Sequence, residues 1–206
     1  MPSPIPLFYD TYYHIFNRGT NRENIFLEER NYAYFLKLYA KYIEPVAETF
    51  AFCLLRNHFH LLVRIKTELE IKEFLNDSQV LVNIHDSYPS QRFSNLFNAY
   101  AKAINKTYGR TGSLFQHPFG RVPVTDPTQF ERVIVYIHQN PQKHRFVEDF
   151  RDWKYSSYNA LLSENSTRLQ RQSVLAWFGG RQDFSHTHQK LIGESECAWF
   201  AADDVD

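Results

Sequence analysis

Two histidines and one tyrosine stand out as residues able to do chemistry. His58 and His60 lie in the run Leu-Arg-Asn-His-Phe-His-Leu-Leu-Val at 55–63. Side chains alternate along an extended segment, so both imidazoles leave it on one side, with Cα atoms roughly 6–7 Å apart at about 3.3 Å per residue. Imidazoles at that spacing can converge on one metal ion; the alternative is a pair of surface or hydrogen-bonded histidines. Phe59, Leu61 and Val63 then face a core on the other side. Tyr136 and Asn140 are four residues apart in a segment of helical periodicity and share one edge of its apolar stripe. A tyrosine brings a phenol nucleophile, and an asparagine brings a carbonyl oxygen suited to a hard cation. The alternative for this pair is a boundary tyrosine and an asparagine capping the helix before Pro141. Tyr108, at a helix end, is a second candidate nucleophile, whereas Tyr100 falls on an apolar stripe and belongs to the core. His138 projects away from Tyr136, and His186-Thr187-His188 repeats the His-x-His spacing without a strand pattern. His14, His85, His117 and His144 join no such constellation.

The elements that must position these residues follow from periodicity. Residues 8–17 are aromatic and β-rich and predict a strand. Residues 29–43 carry Tyr32, Phe35, Leu36 and Tyr39 at helical spacing, and Pro45 ends that helix. Strands are expected at 48–55 and 58–66, joined by a tight turn at Arg56-Asn57. Residues 67–90 predict a short acidic helix followed by an exposed excursion. Residues 92–108 place Phe93, Leu96, Phe97, Tyr100 and Ile104 on one helical face, with Gly109 as the stop. A strand interrupted by Pro118 and Gly120 is expected over 113–124, then a helix over 127–140 ended by Pro141. The order βαββαβ predicts an α+β fold of the ferredoxin-like plan, an antiparallel sheet with helices on one face, plus an extra helix. Residues 1–145 form the expected catalytic domain. Residues 146–206 form an extension that docks on it through residues such as Trp153, Tyr158 and Trp177, with an acidic end expected to be flexible.

Composition excludes several classes. With 206 residues, 43% hydrophobic and 17% aromatic, the chain is no disordered or low-complexity protein. Two cysteines, Cys53 and Cys197, make neither a disulfide framework nor a zinc signature. The longest apolar run, six residues from Phe50, is far too short to cross a bilayer, and the first residues lack a basic region followed by a long apolar one, so no signal peptide is expected. The expectation is a soluble cytoplasmic protein without a membrane partner. The formal net charge is zero but unevenly spread: residues 183–206 hold six acids and one base, −5, leaving +5 on 1–182. Between 91 and 124 there are five bases (Arg92, Lys102, Lys106, Arg110 and Arg121) and no acid. Such a local field suits a polyanion, or it is an ordinary solvated face. The neutral total argues against tight non-specific duplex binding.

Several runs together resemble a known family. Residues 55–63 are similar to the HUH motif (His, hydrophobic, His) of single-tyrosine transposases. Tyr-His-Ile-Phe-Asn-Arg-Gly (13–19), Tyr-Gly-Arg-Thr-Gly-Ser-Leu-Phe-Gln (108–116), Tyr-Ile-His-Gln-Asn-Pro (136–141) and Trp-Lys-Tyr-Ser-Ser-Tyr (153–158) resemble the REP-associated tyrosine transposases of that superfamily, in the family's order. The resemblance covers roughly residues 8–160. It implies a single-stranded DNA endonuclease and strand transferase acting near REP-like hairpins. His58 and His60 would be metal ligands, Tyr136 the nucleophile that forms a 5′-phosphotyrosine, and Asn140 a third ligand where insertion-sequence relatives commonly carry Gln. The implied cofactor is a divalent ion, Mg²⁺ or Mn²⁺, the two histidines favouring Mn²⁺. No nucleotide cofactor is expected, since the covalent link conserves the energy of the broken bond. Candidate DNA contacts are Asn17, Arg18, Arg22, Asn98, Lys102, Lys106, Arg110 and Arg121. Insertion-sequence relatives pair and REP-associated relatives act alone, so a monomer or a homodimer is implied. The competing reading is a domesticated protein that grips hairpins without cutting. The nuclease chemistry requires the two rings on one side of the sheet and a reachable Tyr136 hydroxyl.

Overall fold

Alternating apolar side chains in three stretches build the centre of the molecule, which the computed structural model describes over residues 6–76 and 84–190. The strands β1 (Tyr12–Arg18), β2 (Ala47–Leu54), β3 (His58–Ile65) and β4 (Gly120–Val124) form one sheet in the order β2-β3-β1-β4. All three pairings are antiparallel, as the ferredoxin-like plan requires. The helices are α1 (Glu29–Tyr42), α2 (Glu68–Asn76), α3 (Tyr88–Tyr108), α4 (Pro127–Lys143), α5 (Tyr158–Leu162), α6 (Arg171–Trp177) and α7 (Arg181–Thr187).

The sheet has a core on each face. Tyr13, Ile15, Phe59, Leu61 and Val63 pack with Phe35 of α1 and Phe93, Leu96, Phe97 and Tyr100 of α3. Ala51, Cys53, Leu62 and Val124 pack on the other side with Phe130, Val133, Ile134 and Ile137 of α4. That second core also takes in Phe150, Tyr158, Leu161, Val174, Phe178 and Phe184. So α1 and α3 lie on one face as expected, and the extra helix α4 and the following segment cover the opposite one. The apolar period of β3 makes this possible: odd positions serve one core, and even positions serve the other.

Four boundaries differ from the sequence expectation. α3 begins at Tyr88, not at 92, with Pro89 in its first turn. β1 begins at Tyr12, not at 8, because Asp10 takes a left-handed turn (φ 51°) before it. Of 113–124 only Gly120–Val124 is strand. The earlier part meets the sheet through a single Gly19–Phe115 bridge and the Gln116 N–H to Arg18 carbonyl bond of 2.9 Å. Pro123 is tolerated because β4 is an edge strand. Pro141 does not end α4, which runs on to Lys143. A proline in the last turn removes one hydrogen bond, and here the buried Ile137, Asn140 and Pro141 hold that turn in place. The N-terminus of α4 is as its sequence dictates: Asp126 accepts from the Gln129 N–H at 2.9 Å, with Pro127 at the first position. Gly109 closes α3 at φ 62°, the left-handed stop expected of it. The acidic end from 191 lies outside the described residues.

Candidate active site

The β2–β3 turn sets the first ligand in place. The Leu55 N–H donates to the His58 carbonyl at 2.9 Å, closing the turn over Arg56 and Asn57. The Gly19 N–H bonds the Asn57 carbonyl at 2.8 Å, tying the end of β1 to the same turn. Gly19 is also closely packed by the turn that follows it: a Cβ there would sit 2.0 Å from the Glu23 carbonyl oxygen. His58 and His60 then project together from the face that α4 covers, with ring centroids 5.1 Å apart and planes 87° apart.

Helix α4 brings its pair to them. Asn140 is fully buried, its Oδ1 3.0 Å from His58 Nε2. One turn earlier, the Tyr136 ring stands edge-on to His60, centroids 5.4 Å apart. Lys143 Nζ lies 5.2 Å from the Tyr136 ring centroid. The two rings therefore meet the requirement of one side. The hydroxyl requirement is not met in this conformation: Tyr136 is 2% exposed and sits within the second core.

Among the described residues no group of three or more His, Cys, Asp or Glu side chains is arranged to hold a metal ion. An ion here would depend on two imidazoles and an amide. His58 Nδ1 lies 2.7 Å from Asn57 Oδ1 while its Nε2 faces Asn140 Oδ1. A neutral imidazole has one N–H, so one nitrogen turns a lone pair toward a carbonyl oxygen. If Nδ1 donates to Asn57, Nε2 and Asn140 Oδ1 present two lone pairs to one place. A cation shared by both atoms resolves that contact. So does a half-turn of the Asn140 amide, whose buried Nδ2 has no hydrogen-bond partner as it stands. The residues therefore fit a divalent ion of intermediate hardness.

The structure brings in residues that the sequence left aside. His14, on β1, is buried with its Nε2 3.0 Å from His60 Nδ1 and its ring stacked on that of His60. It also lies 5.9 Å from the Tyr136 ring. The signal for it was the strand pairing: β1 and β3 run antiparallel with His14 opposite Leu62 and Phe16 opposite His60. His144, one turn beyond Asn140, stands 4.9 Å from His58. His138 and His188 pair with each other on the far side of α4 from Tyr136, at 2.7 Å.

The eight candidate DNA contacts fall on different surfaces. Arg18 is directly opposite His58 and shares its face. Asn17, opposite Phe59, is buried on the other face, its Oδ1 accepting from the Arg18 N–H. Arg22 is exposed at the tip of the turn that follows. Asn98, Lys102 and Lys106 form an exposed stripe along α3, on the side of the sheet away from the histidines. Arg110 is paired with Glu23 and Asn105. Arg121, opposite Ile15, lies over the Phe119 ring, 3.6 Å from its centroid.

The family model described as "Transposase IS200 like" matches residues 7–140, which hold every element from β1 to Asn140. The chain belongs to this family. A curated protein of Haemophilus influenzae named "Putative REP-associated tyrosine transposase" is 29% identical over 114 residues, 54% of this chain and 59% of that protein. The chain thus matches less than two thirds of that relative's length. Among solved structures, one titled "Structure of the REP associates tyrosine transposase bound to a REP hairpin" superposes with a TM-score of 0.60 at 16% identity. It covers 80% of this chain and 86% of the other, and so shares its fold. No helix among the described residues is long and apolar enough to cross a membrane.

Proposed function

We propose that this IS200-like transposase is a DNA endonuclease and strand transferase that cuts single-stranded DNA beside a hairpin, with Tyr136 as nucleophile and a divalent ion as cofactor. One observation carries the reading: β3 and α4 converge, so that Tyr136, Asn140, His58 and His60 meet in one buried cluster. His58, His60 and Asn140 would hold the ion, which when bound supplies positive charge to the scissile phosphate. The Tyr136 oxygen attacks phosphorus after losing its proton, and the bond from phosphorus to the 3′ oxygen breaks. The 5′ end is left on Tyr136, and the 3′ oxygen leaves as a hydroxyl with a proton. Arg18, on the histidine face, is placed to meet the strand's backbone. The hairpin as partner is supported by the solved relative, which is described as bound to a REP hairpin.

Tyr136 must be uncovered before it can act, so strand binding has to displace the groups over it, Lys143 among them. The same burial favours a second reading, a protein that binds hairpins without cutting. Incubation with single-stranded hairpin DNA and Mn²⁺, followed by a denaturing gel, separates the two. The nuclease gives a protein–DNA adduct that is lost in Tyr136→Phe and with chelator. Tight binding with no adduct across a broad hairpin set supports the binder. An adduct that survives Tyr136→Phe moves the nucleophile elsewhere.

A further inference from the structure

We infer that His14 is a positioning residue for the cation site: it accepts a hydrogen bond from His60 Nδ1 and so fixes His60 in the tautomer whose Nε2 can bind a metal ion. The inference rests on the metal-dependent reading above and extends it to a residue outside the expected ligand set.

Only one proton lies between His14 Nε2 and His60 Nδ1, which are 3.0 Å apart with near-parallel rings (18°). If His14 donates, His60 carries its own proton on Nε2 and has no lone pair there. If His60 donates, its Nε2 keeps the lone pair, and only this arrangement lets His60 join His58 and Asn140. Histidines that bind metals characteristically donate their other N–H to a fixed acceptor, which sets both tautomer and ring orientation. That acceptor is most often a carboxylate or a carbonyl; at His60 Nδ1 the group within hydrogen-bond distance is His14 Nε2. A buried imidazole from the neighbouring strand takes the part instead. The sheet holds it there: His14 and Phe16 share a face in β1, Phe16 is directly opposite His60, and the His14 and Phe16 rings are 4.9 Å apart. His14 thus reaches His60 diagonally across the β1–β3 pair, within range for ring side chains. Its hydrogen bond goes to His60, through which it acts on the site.

Two measurements test this. Nitrogen-15 spectra of the histidine side chains of the wild-type protein report the tautomer directly. His60 protonated at Nδ1 is expected, and protonation at Nε2 overturns the inference. Mn²⁺ affinity, read from the electron paramagnetic resonance signal of the free ion, is the second. His14→Phe, which keeps the ring packing and removes the acceptor, is expected to weaken Mn²⁺ binding by about 10- to 100-fold. His14→Gln, whose carbonyl oxygen can accept, is expected to recover most of the loss. Equal affinity in wild type and His14→Phe, or a Gln variant no better than Phe, overturns the inference. Mn²⁺ binding that is absent in wild type, or indifferent to His58→Ala, instead sinks the metal reading itself, while the tautomer result stands on its own.

Discussion

Gly120 shows how tightly the cluster is confined. It lies opposite Phe16, and a Cβ there would come within 1.8 Å of the Phe16 ring. Phe16 has His14 at 4.9 Å and His60 at 6.2 Å, so a shift of its ring toward them presses on the imidazoles. Gly120→Ala should therefore cost about 1–3 kcal/mol as overpacking and weaken Mn²⁺ binding as well. Urea unfolding and the Mn²⁺ titration check the two effects separately; a loss of stability with unchanged Mn²⁺ affinity would show that the ring yields away from His14. The contrast with Gly109 is physical. Gly109 is needed for its positive φ, with nothing near its missing Cβ, whereas Gly120 is needed for the space that a neighbour fills.

At the scale of elements, α4 is clamped on the side away from Tyr136. The Phe52 N–H donates to Ser157 Oγ at 2.8 Å, and Ser157 Oγ is 2.7 Å from His138 Nε2. His138 Nδ1 is 2.7 Å from His188 Nε2, and His188 Nδ1 donates to the Phe184 carbonyl at 2.7 Å. A carbonyl only accepts, so with both buried imidazoles neutral His188 Nε2 takes the His138 Nδ1 proton and His138 Nε2 takes that of Ser157 Oγ. Gln139 adds bonds to the carbonyls of His188 and Lys190, at 3.0 and 2.7 Å. Burial pushes the His188 imidazole down to about 4, and burial beside His188 holds His138 well below its ordinary value. Unfolded, each histidine titrates near 6.5, so below that pH the unfolded chain takes up protons that the folded chain refuses. Stability is full above about 6.5 and falls as the pH drops below it, by up to about 1.4 kcal/mol per pH unit for His188 until about 4, with His138 adding a loss of the same sign. Denaturant midpoints at pH 7 and pH 5 should show this loss, and His188→Leu should flatten it. An unchanged slope in that variant would place the acid sensitivity elsewhere.

At the scale of the molecule, the second core is shared. Phe150, Tyr158, Leu161, Val174, Phe178 and Phe184 complete the apolar cover of β2, β3 and α4. Leu54 N–H to Tyr155 O, Ser157 N–H to Phe52 O and Gln170 N–H to Thr49 O bonds also seal the outer edge of β2, each at 2.9 Å. A chain ending at residue 145 should therefore fail to fold cooperatively, while the full chain should unfold with coincident near- and far-ultraviolet circular dichroism transitions. Two separated transitions would mean that the extension is an independent unit. Charge acts at this scale too. Arg18 shares the face of His58, whereas Lys102 and Lys106 lie across the sheet from it. Arg18→Ala should lower both hairpin binding and cleavage. Lys102→Ala with Lys106→Ala should lower binding alone and make it less salt-dependent. Cleavage loss in the lysine pair at saturating DNA would place the cut strand on the α3 side.

The sequence by itself determined the elements and the pairs within them. Period 2 in residues 58–63 put His58 and His60 on one side, and the spacing of four put Tyr136 above Asn140, because both patterns arise from local backbone geometry. The βαββαβ order carried the sheet topology for the same reason. Only the tertiary structure decided what lay between elements. His14 joins His60 through strand register, which no single strand encodes, and His144 reaches His58 through the packing of a helix end. His138 and His188, fifty residues apart, meet because the segment after α4 packs back on that helix in the second core. Pro141 stays helical because burial outweighs the backbone preference. The covering of Tyr136 is of this kind as well: exposure depends on every neighbour that packs against a side chain, and those neighbours come from across the fold.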